Sequence, residues 1–186
     1  MKHRRFLKRI ISAVICTAIT AGSLCVSAAD ETDYSDVEVN FAKALQLSLY
    51  FYDANKCGSG ITGGNLEWRG DCHTEDAAVP LKPMGEDFKG TNLSQEFIDK
   101  YKDILDPDGD GTIDVEGGMH DAGDHVKFCL PGSYAASTLG WGYYEFRDAY
   151  EASGQQEHVE DILHWFNDFY MKSTYLDEDG NVIAFC

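Results

Sequence analysis

Apolar residues recur at helical spacing in four stretches of this chain, separated by long segments with no period. Phe41, Leu45, Leu49 and Tyr52 share one stripe and Asn40 stands before them as a cap, which predicts a helix over 40–55. Ser94 opens a second helix over 94–105, with Phe97, Tyr101 and Ile104 on one face. A long third helix is predicted over 131–152, where Leu139, Tyr143, Phe146 and Tyr150 follow at helical intervals and Ser153-Gly154 ends the run. The fourth, over 155–170, carries Val159, Ile162, Leu163, Phe166 and Tyr170. Aromatic stripes of this kind are core material before they are ligand platforms. Residues 175–186 read as a short hairpin turning at Asp179-Gly180-Asn181. Between the helices, 57–64 is a glycine-rich loop, 68–73 is irregular, and 74–91 contains Pro80 and Pro83 without periodicity. The pattern is helical, with long loops.

The start of the chain belongs to another class. Lys2, Arg4, Arg5, Lys8 and Arg9 precede an apolar run from Ile10 to Val26, and Ser27-Ala28-Ala29 then supplies small residues. This is the layout of a secretory signal peptide over 1–29, cleaved after Ala28 or Ala29. A retained membrane anchor is the competing reading, although the run is slightly short for a span. Export to the extracellular space is expected. Residues 30–186 then suffice for one domain, after a polar lead-in over 30–38. Removing 1–29 takes five of the 15 basic residues and none of the 32 acidic ones. So acidic a surface repels nucleic acid and anionic membranes and keeps a secreted protein soluble.

Four cysteines remain after processing: Cys57, Cys72, Cys129 and Cys186. In an exported protein the default is disulfides, in one of three full pairings. Against this stands Cys72-His73, a thiol and an imidazole side by side, with Cys57 upstream and His120 downstream. Two Cys and two His make a common tetrahedral zinc set. The spacing is not that of a zinc finger, so spacing alone leaves zinc and disulfide open. His125, His158 and His164 have no such grouping, and the last two are expected on a helix surface.

The stretch Asp106-Pro107-Asp108-Gly109-Asp110-Gly111-Thr112-Ile113-Asp114 follows an EF-hand loop through its ninth position. Asp106, Asp108, Asp110, Thr112 and Asp114 are its candidate calcium ligands. The twelfth position, normally a bidentate carboxylate, is Gly117, with Glu116 one place early. A crowded acidic loop without a cation repels itself, so Ca2+ is expected there. A calcium-dependent interaction module is accordingly the alternative function. It rests on a single copy of the loop and leaves the rest of the chain's chemistry unused.

That chemistry is concentrated in Gly117-Gly118-Met119-His120-Asp121-Ala122-Gly123-Asp124-His125-Val126-Lys127-Phe128. Asp121 and Asp124 stand three apart with small spacers, a pair in which one carboxylate can accept a proton from water while the other orients that water. A bare pair of this kind is more often a turn that caps a helix. The full run, together with Trp68-Arg69-Gly70-Asp71 and the aromatic helix entry at 41–53, resembles glycoside hydrolase family 9 over about 40–176. That resemblance implies an all-α (α/α)6 barrel, of which this chain holds the first helices and their loops, and inverting hydrolysis of β-1,4-glucans such as cellulose. It makes Asp124 the general base and Asp121 its water-positioning partner. It puts the general acid in a late glutamate that this chain, read as a fragment, does not reach. It also implies a structural Zn2+ on Cys57, Cys72, His73 and His120. Most of the family has Ser and an aromatic where Cys72 and His120 stand, and a zinc-binding subgroup changes both together. A hydrolytic zinc at His120 and Asp121 would need an open position, which four protein ligands close. A scaffold partner is expected only through modules outside these residues.

Overall fold

A computed structural model of the chain describes residues 39–185, so the predicted signal segment and Cys186 lie outside it. Residues from Asn40 onward form one compact unit. Helix α1 spans Phe41–Asn55, and the Asn40 side chain accepts a hydrogen bond from the Lys43 amide, as its cap position predicts. A 3-10 turn, Thr74–Ala78, leads into strand β1, Val79–Pro80. Short helices α2 (Gln95–Lys100) and α3 (Lys102–Leu105) follow, then strand β2 (Thr112–Ile113), antiparallel to β1. Helices α4 (Cys129–Glu145), α5 (Arg147–Ala152) and α6 (Gln156–Ser173) complete the helical set. Strands β3 (Thr174–Leu176) and β4 (Val182–Phe185) form the predicted hairpin. No described helix is long and apolar enough to cross a membrane.

The core lies where α1, α4 and α5 meet α6. Leu49, Tyr143, Tyr150, Val159, Ile162 and Phe166 are buried together there. On α6 the buried positions Val159, Ile162, Phe166, Phe169 and Ser173 step by three and four, which is the helical period made physical. The α1 stripe is shorter than its sequence suggests. Leu49 is buried, but Phe41 is 77% exposed and the polar Asp53 turns inward instead.

Two predicted helices are broken. At Tyr101 (φ −114°, ψ 21°) the backbone leaves helical geometry, so 94–105 becomes α2 and α3; Ile98 and Leu105 are buried, while the Phe97 and Tyr101 rings meet at a tilt with centroids 4.7 Å apart. At Phe146 (φ −121°, ψ 31°) the third helix divides into α4 and α5. In a straight helix, residues seven apart lie about 10 Å apart along the axis. Across the break the Tyr143 and Tyr150 rings meet edge to face with centroids 5.4 Å apart. Phe146 itself lies outside, 65% exposed.

Candidate active site and metal centre

The chain between α1 and α4 folds back on itself repeatedly, and backbone bonds fix each return. His120 N donates to the Asn55 carbonyl at the end of α1 (2.8 Å), Cys57 N to Gly118 O (2.9 Å), and Gly58 and Cys72 exchange both their amide bonds. Gly118 has φ 72°, and a Cβ there would lie 2.8 Å from the Phe169 ring, so glycine lets the loop lie flat on α6. Trp165 of α6 donates its indole N–H to the Gly118 carbonyl at 2.8 Å. In the Trp68–Asp71 run, Asp71 Oδ1 accepts from the Ile61 amide (2.9 Å), the Thr62 amide (2.8 Å) and the Thr62 hydroxyl (3.0 Å), holding the glycine-rich loop in shape. Arg69 donates to the Lys56 carbonyl and to Cys72 Sγ.

These returns bring four residues together. One ligand atom from each of Cys57, Cys72, His73 and His120 lies within 4.8 Å of all the others. Cys57, Cys72 and Cys129 are free thiols. His73 Nδ1 and His120 Nε2 are buried with no hydrogen-bond partner among the described residues. A buried polar atom left unpaired is costly, and a cation between these groups would satisfy both. Burial, with the Cys72 and Asp76 charges, pushes the Cys57 thiol up to about 12, so without a cation it stays protonated. Burial, aided by the neighbouring imidazoles of His125 and His73 and by Arg69, pushes His120 down to about 4. The neutral imidazole is the ligand form. Burial also raises Cys72, but hydrogen bonds from His73, Arg69 and the Gly58 backbone outweigh it for a net downward shift. The donor set suits a closed tetrahedral zinc site.

Asp121 follows His120 directly. Its amide donates to the Val126 carbonyl at 2.8 Å, and Val126 N donates to Asp124 Oδ1 at 3.2 Å, so the two carboxylates sit on one tight exposed loop. Asp121 also lines a cavity of about 220 Å³ with Phe51, Tyr52, Asn55, His120 and Phe128 among its walls. In the acidic loop, Asp106, Asp108 and Asp110 bring carboxylate oxygens within 4.8 Å of one another. Asp106 is buried, and its Oδ1 has no hydrogen-bond partner among the described residues. Thr112 instead donates through its amide and hydroxyl to Asp110 Oδ1, both at 2.8 Å, and Asp114 pairs with Lys172 at 3.1 Å. Glu116 is taken up by the Ser59 amide at 2.8 Å.

Two histidines sit differently from their sequence expectation. His125 is not isolated: its ring lies 4.8 Å from that of His120 and 6.0 Å from that of His73. His158 is not on the surface. Its Nε2 is 2.6 Å from the buried carboxylate of Asp53, whose other oxygen pairs with Lys56 at 3.0 Å. Nor did spacing single out Lys127, whose ammonium meets Asp76, Val115 and Gly117. A lysine between the exposed Val126 and Phe128 carries no local signal of that role.

The family model for glycosyl hydrolase family 9 matches residues 41–185. Endoglucanase 4 of Bacillus sp. (strain KSM-522) is 32% identical over 136 residues, covering 73% of this chain and 16% of that protein. The chain therefore spans about a sixth of that relative's length. Among solved structures, the catalytic domain of Clostridium thermocellum CelT is 57% identical with a TM-score of 0.73, over 80% of this chain and 29% of that one. The cellulase Cel9M of C. cellulolyticum is 34% identical with a TM-score of 0.52, over 73% and 25%. The helices described above are thus the N-terminal part of an (α/α)6 catalytic domain, and the chain belongs to glycosyl hydrolase family 9.

Proposed function

We propose that this chain carries the water-activating side of an inverting hydrolase of β-1,4-glucans, cellulose among them. The observation that carries this reading is the pair of exposed carboxylates on one closed loop within the family match. Relatives named endoglucanases, and a structure of Cel9M in complex with cellobiose, support the substrate class. Asp124 takes a proton from water as that water attacks the anomeric carbon, and Asp121 orients the water. The bond to the leaving oxygen breaks as a general acid protonates it. In inverting enzymes the two catalytic carboxyls stand ~6.5–9.5 Å apart to admit the water. Asp121 and Asp124 share one short loop, so both serve the water side and the acid is a glutamate outside these residues.

Cys57, Cys72, His73 and His120 hold a zinc ion in this reading, with four protein ligands making its role structural. His120, one residue before Asp121, ties that site to the catalytic loop. Asp106, Asp108 and Asp110 hold a calcium ion, with Thr112 and Asp114 on the same loop. The signal segment over 1–29 directs the protein out of the cell.

In the full-length enzyme, Asp124→Ala should lower turnover by about 10²- to 10⁴-fold, the range of a lost general base. Glucan affinity should be largely retained, because the interaction lost is made in the transition state. Asp121→Ala should be impaired less. Azide, which needs no base, should restore part of the Asp124→Ala rate and give a glycosyl azide of inverted configuration. Near-normal turnover by Asp124→Ala would put the base elsewhere.

A further inference from the structure

Lys127 lies at the exit of the loop that carries both carboxylates, and its side chain reaches back to the entrance. Its Nζ donates to the Gly117 carbonyl at 3.3 Å, to the Val115 carbonyl at 3.0 Å and to Asp76 Oδ2 at 2.9 Å. An ammonium has three N–H donors, and here each has an acceptor. The same nitrogen lies 5.1 Å over the Phe169 ring, and Phe169 is the ring on which Gly118 rests. The Val115 amide in turn donates to the Asp76 carbonyl at 2.9 Å. One side chain therefore joins the loop's two ends to the turn that follows His73 and to α6. Within that frame, the Asp121 amide and Val126 carbonyl close a smaller ring around Asp124.

We propose that Lys127 is a positioning residue for the water-activating carboxylates: it fixes the distance between loop entrance and exit, and through it the placement of Asp121 and Asp124. This rests on the role proposed for those carboxylates. A displacement of the order of 1 Å at a reacting group can cost about 10²-fold in rate. Substrate contacts made elsewhere are untouched, so the loss falls on kcat and not on KM. Arginine retains the charge but presents a planar fork, which cannot meet three acceptors arranged around one nitrogen.

The test compares Lys127→Met, Lys127→Arg and Asp124→Ala in the full-length, zinc-loaded enzyme on a soluble β-glucan. Lys127→Met should lose about 10- to 100-fold in kcat, with KM and zinc content unchanged, and Lys127→Arg should fall between it and wild type. Azide should recover part of the lost rate in Lys127→Met, since it attacks the anomeric carbon without a base, whereas a merely destabilised enzyme gains nothing from it. Should Lys127→Met fail to fold, Lys127→Arg carries the same reading: reduced kcat, retained KM, partial azide recovery. If Asp124→Ala is inactive while Lys127→Met, or Lys127→Arg where Lys127→Met does not fold, keeps kcat within about twofold of wild type or loses rate that azide does not restore, Lys127 has no positioning role. Near-normal turnover by Asp124→Ala instead overturns the assignment of the base itself.

Discussion

Asp71 illustrates how much one exposed carboxylate can organise. Hydrogen bonds from the Thr62 backbone and hydroxyl and from the Ile61 backbone hold its pKa below the usual 3.8. The folded chain therefore binds that proton less readily than the unfolded chain does. The stabilisation is complete above pH 3.8 and is lost as pH falls below it toward the folded value. Asp71→Asn should lower the melting temperature at neutral pH and flatten its fall below about pH 4; an unchanged acid limb would show that the loop does not depend on this charge. At this scale the sequence is informative where neighbours in the chain are neighbours in space. Asp121 and Asp124 are readable as a pair for that reason, as is Cys72-His73. Lys127 finds Asp76 across 51 residues and His158 finds Asp53 across 105, and no local pattern encodes such meetings.

Between residue and fold, glycines and helix breaks decide where the loops go. Gly118 combines a left-handed backbone with contact against the Phe169 ring. Gly118→Ala should cost about 1–3 kcal/mol, as overpacking does, and should lift the loop from α6, weakening the Trp165–Gly118 bond. Denaturant unfolding measures the cost, and Trp165 fluorescence reports the displacement. A stability within about 0.5 kcal/mol of wild type, the range of neutral surface changes, would show that Phe169 moves aside freely. The helices themselves were legible from period and caps, Asn40 and Ser94 both accepting the expected amide bonds. Their interruptions were not. Hydrophobic spacing continues smoothly through Tyr101 and Phe146, so a one-dimensional pattern gives no sign of either break.

Seen whole, the chain is strongly acidic, and several large apolar side chains stay outside its core. On α4, Leu130, Tyr134, Trp141 and Tyr144 are each more than 70% exposed. Metal content should bear on stability at the same scale. Elemental analysis of the folded full-length protein should give one zinc and at least one calcium. Removing zinc with a strong chelator should lower the melting temperature by more than about 5 °C, since a structural site contributes directly to folding. Calcium should raise the melting temperature, and Asp108→Ala with Asp110→Ala should abolish that response. A Cys57–Cys72 disulfide in a zinc-free protein, or a calcium response surviving the double substitution, would overturn the respective assignment. The fold class was readable because a family run and a helical period agree, whereas the meeting of Cys57, Cys72, His73 and His120 came only from how the loops return. The two returns at His120 and Asp121 have a consequence in time. These adjacent amides are locked to different partners, Asn55 and Val126. Amide hydrogen exchange therefore separates two openings of the same loop: exposure of Asp121 alone marks the small ring opening, and exposure of His120 marks the whole loop leaving α1.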